Sequence, residues 1–145
     1  MNPTVVFART FDHDYPMPSR AHLGDAGFDL MAVENGVLDP GETRLFDTGW
    51  SMQMPEYMVG FVCSRSGLAA KKGVHVLNSP GIIDSGYRGS MGVTLHNASQ
   101  QPVVITKGDR MAQLLFLTFQ SPHLEEVAEL DEHERGQGGF GSTGS

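Results

Sequence analysis

The apolar positions of this chain come in short runs separated by turn residues. Thr4-Val5-Val6-Phe7 is β-branched and apolar and predicts an N-terminal strand. Asp39-Pro40-Gly41 is a turn signal leading into the mixed run from Glu42 to Asp47. Pro55 precedes Met58-Val59-Gly60-Phe61-Val62-Cys63, a run of strand length. Ser66 to Lys72 predicts one or two helical turns stopped by Gly73. Val74-His75-Val76-Leu77, Met91 to His96 and Pro102-Val103-Val104-Ile105 are further strand candidates, with Gly92 expected to weaken its strand or mark a bulge. Lys107-Gly108-Asp109-Arg110 reads as a turn, and Met111 to Phe119 is nearly all apolar. Lacking alternation, that last run is expected to be buried on both faces or to pack against another subunit. Turn signals about every 8–12 residues predict an all-β sandwich, jelly roll or barrel.

Composition agrees. Gly 18 and Pro 8 in 145 residues favour turns over long helices, and the length suits one domain. The net charge of −7 argues against a protein that tracks nucleic-acid phosphates. The acid is concentrated: Glu125, Glu126, Glu129, Asp131, Glu132 and Glu134 fall in a stretch without Lys or Arg, and the rest of the chain carries only −1. The expected organisation is a β-domain over 1–124, an acidic linker over 125–134 and a glycine-rich arm over 135–145, mobile unless something binds it. The lone Cys63 excludes an intrachain disulfide and is expected to be a buried small hydrophobe. The six histidines form no HxxxH or HxH pair, so no zinc site is expected. No run is long enough to span a membrane and no signal pattern opens the chain, so a cytoplasmic protein without membrane or nucleic-acid partners is expected.

The polar residues suggest an anion site. Arg65-Ser66-Gly67, Tyr87-Arg88-Gly89, Gly108-Asp109-Arg110 and Arg135-Gly136 each set a guanidinium beside a glycine, where backbone N–H groups and the planar cation can approach one anion together. Surface ion pairs are the alternative reading. Gly136-x-Gly138-x-x-Gly141 has the form of a dinucleotide fingerprint but lacks the strand before it and the helix after it, and no Lys precedes Ser142-Thr143 as a P-loop needs. What remains is either a disordered tail or a loop able to fold over a nucleotide, with amides on phosphates and Phe140 on the base. Gly81 to Gly89 brings a carboxylate, a phenol and a guanidinium together, either as a general-base arrangement or as a capped turn. Asp25 and Asp29 are turn acids or magnesium partners.

These residues fall into five ordered motifs. They are Ala26-Gly27-Phe28-Asp29-Leu30, Arg65-Ser66-Gly67-Leu68-Ala69, Asn78 with Gly81 to Gly89, Gly108-Asp109-Arg110-Met111-Ala112-Gln113-Leu114, and Arg135-Gly136-x-Gly138-Gly139-Phe140-Gly141-Ser142-Thr143-Gly144. Together they closely resemble the homotrimeric dUTPases, actinobacterial-type members most. The resemblance implies a distorted jelly-roll or β-clip-type barrel with one short helix and a flexible C-terminal arm. It also implies a trimer whose sites draw on all three chains, with dUTP as substrate and Mg2+ as cofactor. It makes Asp84 the base that activates water, and Asp29 the holder of a magnesium-bound water. Asn78, Gly81, Ile83, Tyr87 and Phe140 would bind uracil and deoxyribose. Arg65, Ser66, Gly67, Gln113, Arg135, Ser142 and Thr143 would bind phosphates. Ser64 departs from the pattern, standing where the family often has proline. Two other readings are a dCTP deaminase relative, disfavoured because Ser90 to Asn97 holds no carboxylate, and a regulatory protein on the same fold with its own protein partner.

Overall fold

Eleven strands and one helix form among residues 2–144, which the computed structural model describes. β1 is Val6–Arg9, β2 Phe28–Met31, β3 Gly36–Leu38, β4 Thr43–Asp47, β5 Trp50–Gln53 and β6 Met58–Cys63. The helix α1, Ser66–Lys72, separates these from β7 Val74–Val76, β8 Gly81–Ile83, β9 Gly92–Asn97, β10 Val103–Ile105 and β11 Arg110–Thr118. The strands pair antiparallel in two larger sheets, ordered β2-β11-β6-β8 and β4-β9-β7, and in two ribbons, β1-β5 and β10-β3.

Alternation decides which side chains meet. In β9, Val93, Leu95 and Asn97 are buried while Thr94 and His96 lie on the other face. The inward faces supply Leu30, Leu38, Phe46, Met91, Leu95, Met111 and Leu114 to one core. The fully buried Asn97 is satisfied there: its amide donates to the Leu38 and Gln101 carbonyls, and its oxygen accepts from Ser99 N–H at 2.9 Å.

Most predicted elements form, with displaced ends. The first strand runs Val6–Arg9 and not 4–7, because Arg9 pairs with Trp50 and lays its guanidinium 4.8 Å over the indole. The helix is as predicted, and Gly73 ends it at φ 68° in the left-handed region. Gly92 marks no bulge, pairing in register with Asp47. The bulge lies instead at Met111, where β11 slips by one residue against β2. The apolar run of β11 divides: Met111, Ala112 and Leu114 are buried, while Leu117 and the following Phe119 are exposed in the single chain. Cys63 is half-buried. Beyond β11, residues 120–137 are all exposed, and the glycine-rich segment turns on itself with Phe140 at φ 49°. Met1 and Ser145, the ends of the predicted domain and arm, lie outside the described residues. No helix among them is long and apolar enough to cross a membrane.

Candidate active site

One row across the four-stranded sheet builds an arginine-lined cleft. Gln113 on β11 stands between Asp29 on β2 and Cys63 on β6. Immediately after Cys63, Ser64 to Gly67 leaves the sheet and enters α1. The resulting cleft of about 320 Å³ is lined by Asp29, Arg65, Ser66, Gly67, Arg110 and Gln113, among others. The Asp29 carboxylate, only 17% exposed, faces Arg65 Nε at 3.4 Å and Arg110 Nε at 3.7 Å. Arg65 Nη1 also donates to the Arg110 carbonyl at 3.1 Å. Two guanidiniums are thus held together at one wall by a single carboxylate, where their N–H groups can meet one anion. Gln113 Nε2 donates to the Ser64 carbonyl at 2.9 Å, and Gly27 makes room for it: a Cβ there would run into the Gln113 amide.

A second cleft forms at the other end of β6. The register Gly60↔Ile83 carries Asp84 out beyond Val59, whereas Arg65 leaves past Cys63. Four residue steps of β6 lie between Val59 and Cys63, about 13 Å, and Ser64 and Arg65 follow outside the strand. This cleft, of about 330 Å³, is lined by Ile82, Ile83, Asp84, Tyr87, Ser90 and parts of β4 and β9. Tyr87 N–H closes the turn on the Asp84 carbonyl at 3.1 Å, and the phenol donates to the Ser90 carbonyl at 2.9 Å. Ser90 is itself held by a hydroxyl bond to Asp47. The Asp84 side chain is exposed, and among the described residues its carboxylate has neither a hydrogen bond nor an ion pair. Arg88 is not aimed at an anion site, since Nη1 donates back to the Ser85 carbonyl at 2.7 Å. Asn78 is exposed before the cis Ser79–Pro80 bond, and its amide lies against Gly81, where a Cβ would sit 3.2 Å from Nδ2.

Within one chain, then, Asp29, Arg65, Ser66, Gly67 and Gln113 come together, Ile83, Asp84 and Tyr87 come together elsewhere, and the arm joins neither. Arg135 Nε donates to Gly138 O at 3.0 Å inside the arm, Phe140 is fully exposed, and Ser142 and Thr143 are also exposed. Sequence reasoning missed Arg110 as a member of the first cleft, although its turn had been singled out for anion binding. Asp25 proves to be a turn acid, its carboxylate accepting from His22 N–H at 3.0 Å, on the rim of the same cleft.

The dUTPase family model matches residues 13–144. The chain belongs to the dUTPase family. It is 45% identical over 148 residues to the deoxyuridine 5'-triphosphate nucleotidohydrolase of Mycolicibacterium vanbaalenii, covering 98% of this chain and 96% of that one. To the corresponding protein of Corynebacterium glutamicum it is 46% identical, covering 92% and 90%. Among solved structures, the dUTPase of Staphylococcus bacteriophage 80alpha with dUPNHPP superposes with a TM-score of 0.89 at 30% identity, over 98% of this chain and 99% of that one. A dUTPase from phage phi11 of S. aureus, solved to show the coordination of a structural Mg(II) ion, superposes at 0.81 with 28% identity, over 89% and 99%. The expected all-β fold with one short helix is thus the dUTPase fold.

Proposed function

We propose that this protein hydrolyses dUTP to dUMP and pyrophosphate in a trimer whose sites join the two clefts from neighbouring chains. The observation that carries the reading is the unpartnered Asp84 carboxylate beside Tyr87, set at the opposite end of β6 from the arginine cleft of its own chain. A carboxylate free of other bonds can hold a water and take its proton. The water oxygen bonds to the α-phosphorus, the bond from that phosphorus to the α,β-bridging oxygen breaks, and pyrophosphate leaves. Arg65, Ser66, Gly67 and Gln113 of a neighbouring chain hold the phosphate oxygens, so catalysis is mainly positioning and charge neutralisation.

Asn78 and the backbone of Gly81 and Ile83 bind the uracil edge, and Tyr87 packs under the deoxyribose, leaving no space for a 2′-hydroxyl. Mismatched donors and acceptors would reject cytosine more strongly than shape alone rejects thymine's methyl. The arm closes the site, with Arg135, Ser142 and Thr143 on the terminal phosphate and Phe140 on the base.

The donor set fits magnesium carried in by the nucleotide. Both Asp29 oxygens face arginines, and no group of three His, Cys, Asp or Glu side chains gathers among the described residues. Asp29 would therefore hold the ion through a water, as suits an ion that keeps its waters and takes phosphate ligands. When bound, it neutralises triphosphate charge. β9 carries no carboxylate, which speaks against deamination. The reading takes the protein to be a nucleotide enzyme of the cytoplasm. Pyrophosphate release with magnesium, compared for dUTP, dTTP, UTP and dCTP, tests it. Release from dUTP alone is expected, and ammonia from dCTP or no release from dUTP would overturn it.

A further inference from the structure

The outer face of the β4-β9-β7 sheet carries two histidines that hydrolysis does not use. His75 on β7 stands directly opposite His96 on β9. Their ring centres lie 5.4 Å apart with planes at 86°. Val74, Val76, Leu95 and Asn97, which alternate with them, are buried, so both imidazoles lie on the face away from the core. On the far side of β9, Thr43 pairs with His96, its Oγ 2.8 Å from Nδ1. Both rings are half-buried, sheltered but reachable.

We propose that His75 and His96 form a binding site for a borderline divalent transition-metal ion of the Zn2+, Cu2+ or Ni2+ class. Imidazole nitrogen suits these ions, whereas Mg2+ takes oxygen ligands, so the site is distinct in chemistry from the one at Asp29. The spacing fits. With metal–nitrogen bonds of about 2.0–2.1 Å and about 1.1 Å more to each ring centre, two imidazoles at a tetrahedral angle have centres about 5.2 Å apart. The observed 5.4 Å between ring centres is close to that separation, so rotation of the rings about their side-chain bonds can bring both nitrogens to one ion. Thr43 supplies the supporting contact. With the metal on His96 Nε2, Nδ1 keeps its proton and donates it to the Thr43 hydroxyl, which fixes tautomer and ring orientation.

No third His, Cys, Asp or Glu completes the set among the described residues, so waters fill the remaining positions and the ion exchanges. Loading it ties β7 to β9. Since β7 runs directly into Leu77 and Asn78, the ion would stiffen the approach to the nucleotide hairpin from outside it.

The test is calorimetric titration of the full-length, EDTA-stripped protein with Zn2+ and Ni2+, with Cu2+ spin resonance as a second readout. One ion per chain at most is expected, with nitrogen splittings from two imidazoles. His75→Ala and His96→Ala should each weaken binding at least tenfold. Thr43→Val should weaken it by roughly tenfold and Thr43→Ser should restore it. Thermal melts of the metal-free variants check folding, and His96→Gln takes the place of any alanine variant that fails. Equal loss on His123→Ala at an exposed position just before the tether, or wild-type binding no tighter than that of the H75A/H96A double variant, would overturn the site.

Discussion

The Ser64 backbone N–H donates to the Ser79 hydroxyl at 3.2 Å. Ser64 Oγ in turn accepts from Val76 N–H at 2.9 Å, and its carbonyl accepts the Gln113 amide at 2.9 Å. One residue therefore ties the Arg65 loop, the Asn78 segment and β11 together. A proline at this place would lack both the N–H and the hydroxyl. Ser64→Ala leaves the buried Val76 N–H without its partner, which costs about 1–3 kcal/mol. The urea midpoint should fall accordingly, and KM for dUTP should rise more than kcat falls. An unchanged midpoint with unchanged KM would mean that the hydroxyl bond is idle.

Gly27 controls the same region by its absence of a side chain. A Cβ there meets the Gln113 amide, so Gly27→Ala should drive that amide off the Ser64 carbonyl and out of reach of a phosphate. Losing one hydrogen bond to a charged group costs about 1.5–3 kcal/mol, roughly tenfold or more in affinity. Titration with a non-hydrolysable dUTP analogue should show that loss for Gly27→Ala, and a comparable one for Gln113→Ala. Full affinity in Gly27→Ala would separate Gln113 from the phosphates.

These two contacts mark the limit of what was legible in the sequence. The helix over Ser66 to Lys72 and its stop at Gly73 were readable because both signals are local. The strand at Met58 to Cys63 was readable because its run is continuous and apolar. β2, β3 and β5 were not proposed as strands, being short and carrying mixed residues whose burial depends on partners elsewhere in the chain. Gly81 to Ile83 read as part of a turn because only pairing with Gly60 to Val62 makes it a strand. The same dependence hid the His75–His96 pair, which exists only through the β7-β9 register. Motif residues could be named from sequence, but their separation into two clefts follows from the β6-β8 register, which no local pattern encodes.

The tether and arm contribute no core. Residues 131–137 are exposed, and the hydrogen bonds of the arm run within it or back to His133 of the tether. Truncation after Leu130 should leave the melting temperature within about 0.5 kcal/mol of wild type in stability terms. It should also lower kcat/KM for dUTP at least tenfold, if Arg135, Phe140, Ser142 and Thr143 close the site. A truncated protein with full kcat/KM would remove the arm from the mechanism.

Asp84→Asn keeps the shape of the hairpin but gives up the basic oxygen, so nucleotide binding should survive and turnover should fall by about 100-fold or more. Arg65→Ala removes the phosphate contact proposed for the other cleft and breaks the pair with Asp29. If each site takes Asp84 from one chain and Arg65 from its neighbour, the two inactive variants should complement. A random mixed trimer, made by co-expression in equal amounts, has the Asp84 donor intact in half of its sites and, independently, the Arg65 donor intact in half. About a quarter of wild-type activity should then return in the mixture. Were both residues to serve one site from the same chain, every site would carry one lesion and no activity would return, so the rate of the co-expressed mixture decides how the two clefts are joined.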